Sequence, residues 1–157
     1  MIVTVTKNKM ATTVYHVEEK ILVSVYKGRV DIELAMEQTE KLLEFYKMNE
    51  VKGRIMDIRQ LYGSFAKLIE YYKNAFSIAV DSGLSCISYV VSDDLLAQNL
   101  ILKLETIAHS FKTEAKIFLH QKSYFNFISS SSNCSLEIGE GESIITSLPE
   151  LFLGNAI

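Results

Sequence analysis

The sequence predicts an α/β domain, a mixed and mostly parallel sheet carrying helices. Three observations predict it. Two runs rich in β-branched and aromatic residues open the chain around a short polar break. Three amphipathic stretches then repeat their apolar residues at steps of three and four. Between and after these stretches lie short apolar runs of strand length, and such alternation is most economically met by parallel pairing through right-handed crossovers.

Taken in order, Val3 and Val5 suggest a short first strand, and Thr12 to Glu18 with Ile21 to Lys27 read as a hairpin turning at Glu18, Glu19 and Lys20. From Asp31, a helix cap, the period becomes helical: Ile32, Ala35, Met36, Thr39, Leu42, Leu43 and Tyr46 form the expected buried stripe. Gly53 releases the chain into a short strand, Arg54 to Arg59, and a turn at Tyr62 and Gly63. A second helix is expected from Ser64, burying Phe65, Leu68, Ile69, Tyr72, Phe76, Ala79 and Val80. Asp81, Ser82, Gly83 and Leu84 read as its stop signal, with Gly83 suited to a left-handed helix end. Cys86 to Val91 is almost continuously apolar and reads as a strand covered on both faces. Asp93 is placed to cap a third helix with the stripe Ala97, Leu100, Ile101, Leu104, Ile107, Ala108 and Phe111; Ala115 to Leu119 is the last strand. Tyr124, Phe125, Phe127 and Ile128 suggest a short fourth helix.

The 157 residues leave room for one domain and a tail. Composition divides them there: residues 129–157 contain Glu137, Glu140, Glu142 and Glu150 but no Lys or Arg, and open on the serines 129–132. We therefore expect a domain over residues 1–128 and an acidic tail over 129–157. Within that tail Ser147, Leu148, Pro149 and Glu150 can start a short helix presenting Leu151, Phe152 and Leu153, which is expected to dock on the domain or on a second copy in a homodimer.

A net charge of −3 provides no basic field for nucleic acid or anionic lipid. No run approaches membrane-spanning length, and no secretion signal is legible, so a cytoplasmic protein without membrane insertion is expected. Cys86 and Cys134 lack the spacing of a zinc site or redox pair, and His16, His109 and His120 are too dispersed for a metal pair. Phosphate loops, dinucleotide-binding turns, nucleophile elbows and zinc-protease helices are all missing. No cofactor, metal or enzymatic activity is expected.

Two positions stand out at strand ends, where ligands collect in such sheets. Asp57, in Asp57, Ile58, Arg59, is a site candidate that is otherwise a polar residue paired with Arg59 or Arg54. The second is the turn Tyr62, Gly63, Ser64, Phe65.

The order of elements over Val14 to Ser129 resembles the STAS fold of anti-sigma-factor antagonists, in particular the small SpoIIAA-like domains. The resemblance rests on the strands Tyr15 to Val17 and Ile21 to Val25, the glycine and helix from Gly28 to Tyr46, the strand Ile55 to Arg59 and the alternation after it. It implies that Ser64 stands where regulatory members carry their phosphorylated residue, although Gly63 and Phe65 replace the family's aspartate and glycine. As a plain helix cap, Ser64 would accept a backbone hydrogen bond instead. The function so implied is a non-catalytic regulatory or protein-interaction module using Tyr62, Gly63, Ser64 and Phe65. The alternative is a carrier or sensor of a small apolar ligand, for which Tyr71, Tyr72, Phe76, Tyr89, Tyr124, Phe125 and Phe127 supply rings that otherwise serve as core.

Overall fold

The strands pair strictly in chain order. The computed structural model describes residues 1–90, 95–112 and 114–118. These form β1 (Ile2–Lys7), β2 (Ala11–His16), β3 (Ile21–Arg29), α1 (Ile32–Met48), β4 (Gly53–Tyr62), α2 (Ile69–Asp81), β5 (Cys86–Val90), α3 (Leu95–Ser110) and β6 (Glu114–Phe118). β1, β2 and β3 are antiparallel neighbours, whereas β3, β4, β5 and β6 run parallel, giving a six-stranded mixed sheet. The expected α/β alternation is therefore what the chain adopts. The Asp93 cap, the fourth helix, residues 129–157, His120 and Cys134 lie outside the described residues.

Parallel strands laid down in sequence by crossovers of one hand place every connecting helix on the same side. Ala35 of α1, Leu68 before α2, and Ala108 of α3 accordingly share one cluster with Tyr26, Ile58, Ile87 and Tyr89 of the sheet. A second cluster joins Leu42 and Tyr46 of α1 and Ala79 of α2 to Tyr15 and Leu22. Because side chains alternate along a strand, the intervening residues Val14, Ile21, Val23, Val25, Ile55 and Val90 belong to the opposite face. They too are buried.

The helices depart from the expected stripes in two places. α1 buries Ala35, Gln38, Leu42 and Tyr46, while Ile32 and Met36 are exposed. Gln38 is tolerated inside because its Nε2 donates to the Thr13 hydroxyl at 3.0 Å, and that hydroxyl lies 2.8 Å from the Ser24 Oγ. The second departure concerns the entry to α2. Ala66–Leu68 form a 3₁₀ turn first, and the residue capping α2 is Leu68, without a side-chain hydrogen bond. The helix ends as expected: Gly83 has φ +112°, and the amides of Ser82, Gly83 and Leu84 bond back to the last carbonyls.

Candidate functional site

β4 is longer than its apolar core suggests, ten residues from Gly53 to Tyr62, so Asp57 sits in mid-strand rather than at its carboxyl end. The register slips between Val25↔Asp57 and Lys27↔Gln60, which leaves an extra residue in β4 and bends it as a bulge. Beside that bulge the Arg59 amide donates to Asp57 Oδ1 at 3.2 Å, and the guanidinium of Arg59 clasps both carboxylate oxygens. Asp57 is 1% exposed, so this pairing compensates a buried charge. Among the described residues no group of three or more His, Cys, Asp or Glu is placed to hold a metal ion. The geometry gives Asp57 a structural role beside Arg59, and Arg54 does not share it.

The turn Tyr62, Gly63, Ser64, Phe65 follows β4. The carbonyl of Tyr62 accepts from the Val30 amide at 2.8 Å, and Gly63 has φ +105°, a region that residues with a Cβ rarely enter. Tyr62, Gly63 and Ser64 are exposed, whereas Phe65 leans on the core. The Ser64 hydroxyl accepts from the Ala66 amide at 3.2 Å, a local contact at the entry to the 3₁₀ turn, whose capping residue is Phe65. The expectation that Ser64 opens α2 is thus corrected: four residues separate it from the helix, and a phosphate there would not lie on the α2 amides.

The remaining candidate residues meet elsewhere, in a cavity of about 70 Å³ between the sheet and the helices. Tyr72, Phe76 and Tyr89, three of the rings named from the sequence, line it, together with aliphatic side chains including Leu42, Ile58, Ala75 and Leu104. Tyr71 does not; its hydroxyl reaches the Met36 carbonyl at 3.4 Å. Tyr124, Phe125 and Phe127 lie outside the described residues.

What sequence reasoning missed is the polar centre of this cavity. Arg54 occupies the second position of β4, in phase with Met56 and Ile58, and therefore faces the helices. Its Nη2 donates to the Tyr26 hydroxyl at 3.0 Å. Its Nε is buried without a well-formed hydrogen bond to the described residues, and so is the hydroxyl of Tyr46, a residue only 3% exposed whose phenol lies beside the guanidinium. Tyr26, Tyr46, Tyr72 and Tyr89, from β3, α1, α2 and β5, all line the cavity with Arg54. No carboxylate among the described residues pairs with Arg54. Burial opposes charging, but the phenols of Tyr26, Tyr46, Tyr89 and Tyr72 outweigh it and raise the arginine pKa above its ordinary value. Burial likewise pushes the Tyr46 and Tyr72 phenols up, so they stay protonated at neutral pH. The signal that would have revealed the site was present: a cation standing in the apolar phase of an interior strand.

The chain is similar to the crystal structure of an uncharacterized protein of the DUF3478 family, with a SpoIIAA-like fold, from Shewanella loihica PV-4. The two share 15% identity, with 81% of this chain and 91% of the other covered, at a TM-score of 0.49. No protein-family model matches the chain, and no curated protein does.

Proposed function

We propose that this chain is a non-catalytic binding module that takes a small, largely apolar ligand into the cavity between its sheet and its helices. One observation carries the reading. The cavity is walled by aliphatic and aromatic side chains, with a few polar groups converging from five elements, which is the composition of a ligand site rather than of a packing defect. Native mass spectrometry of protein purified from cells tests it. A retained small mass, absent from the denatured spectrum, is expected. Ala75 lines the cavity and is buried, so Ala75→Leu extends a side chain into the space and should abolish that mass while the chain stays folded. Equal native and denatured masses for the wild-type chain would count against the proposal.

The second reading, a regulatory module that docks a protein partner, is favoured by a different feature. Tyr62 is 63% exposed and stands beside the exposed Ser64 at the end of β4. An exposed tyrosine of this kind is a suitable interface anchor. Pull-downs with Tyr62→Ala and Ser64→Asp should lose a partner held by the wild type, and retention of every partner by both variants would exclude this surface.

A further inference from the structure

We infer that the ligand of this cavity is a small carboxylate, its charged end held against the Arg54 guanidinium and its short apolar remainder among the aliphatic walls. The inference rests on the cavity reading above and adds the chemical class. Its basis is donor accounting. A guanidinium carries five N–H donors and does not shed its charge in a protein. Here Nη2 serves Tyr26, while Nε is buried without a well-formed hydrogen bond to the described residues.

Three residues further along β4, Asp57 is of no use to Arg54, because it is engaged by Arg59. Nor do other carboxylates among the described residues reach it. An anion entering the cavity would supply the missing charge, and a carboxylate fits the Nε and Nη edge of guanidinium with two parallel bonds. The Tyr46 hydroxyl, buried beside the guanidinium and without a well-formed hydrogen bond to the described residues, can donate to the same oxygens.

Two quantities narrow the class further. One guanidinium balances one negative charge, so a monoanion suits the site better than a doubly charged phosphate, whose second charge would stay uncompensated among apolar walls. A buried water needs about 10–15 Å³ of such space, so 70 Å³ admits a carboxylate with a ring or a few carbons.

The experiment uses the full chain and two matched pairs of probes: benzoate with benzamide, and butyrate with butyramide. Binding is read from the Arg54 Nε–Hε resonance and from the thermal midpoint. We expect a carboxylate to shift that resonance and raise the midpoint, with its amide at least tenfold weaker. Arg54→Met should remain folded, with a midpoint no lower than that of the wild type without ligand, and should lose the response. Tyr46→Phe, which keeps the ring, should weaken carboxylate binding severalfold. Amides binding as tightly as acids, or an undiminished acid response in Arg54→Met, would overturn the carboxylate class while leaving the apolar cavity reading intact. Absence of any response to all four probes, together with no retained mass in the native spectrum, would overturn both.

Discussion

Asp57 and Arg59 show how a buried charge is kept at the scale of single residues. The carboxylate, 1% exposed, depends on a guanidinium that is itself partly open to solvent. Removing the cation leaves the anion buried without its counterion, so Arg59→Leu should cost about 3 kcal/mol, whereas Asp57→Asn, which removes the charge to be compensated, should cost less. Urea denaturation of the two variants checks this order. His16 on β2 offers a pH test. Its ring is buried, which favours the neutral imidazole, and although Glu19 opposes this from 4.0 Å the net effect holds its pKa below the ordinary 6.5. Well above 6.5 both the folded and the unfolded chain leave this group neutral. As pH falls below 6.5 the unfolded chain binds the proton first, so the folded state loses stability until the folded pKa is passed. Midpoints measured from pH 8 to pH 5 should therefore fall more steeply in wild type than in His16→Gln. An identical slope in the two proteins would exclude His16 as the source.

At the scale of elements, ends are governed by local chemistry. Asp31 has extended backbone angles and its Oδ1 accepts from the Leu34 amide at 3.0 Å, so Asp31→Ala should cost about 1 kcal/mol in the same urea experiment. Gly63→Ala should cost about 1–2 kcal/mol, because a Cβ would find ordinary contacts with Val30 but the φ of +105° remains strained. These two ends illustrate what the sequence makes legible. Asp31 before a helical period, and Gly83 after one, carry signals that act within a single turn, and both ends fall where those signals place them. The hairpin, the three described helices and the apolar β5 are legible for the same reason, since each has a period or a run of its own. The buried face of α1 was less so: whether Gln38 or Met36 turns inward depends on Thr13, which is 25 residues away in sequence. The length of β4 was hidden as well, because Gln60 and Tyr62 are strand residues through pairing with Lys27 and Arg29, not through any apolar run. The candidate site divides along the same line. Tyr72, Phe76 and Tyr89 could be listed as rings, but their meeting around Arg54 required two crossovers to bring β3, β4, β5 and their connecting helices together.

For the whole molecule the decisive asymmetry is that α1, α2 and α3 all cover one face of the sheet. The other face is equally dry: Val14, Ile21, Val23, Val25, Ile55 and Val90 are all buried, the most open at 3%. Burying side chains of this kind contributes about 1.5–3 kcal/mol each, so together they supply on the order of 10 kcal/mol, comparable with the whole stability of a domain this size. The described elements supply no second layer to shield them. Their burial therefore requires cover from outside the described elements, and truncation tests whether residues 119–157 contribute to the cooperative unit. A chain ending at residue 118 keeps every described strand and helix. It should nevertheless bind a hydrophobic dye, unfold at a much lower temperature or associate through the uncovered valines and isoleucines. Truncation at residue 128 divides the contribution between the two segments, because only the second, acidic one is then lost. If the chain ending at 118 melted like the full one and excluded the dye, the second face would not depend on the C-terminal residues, and the domain would end at β6.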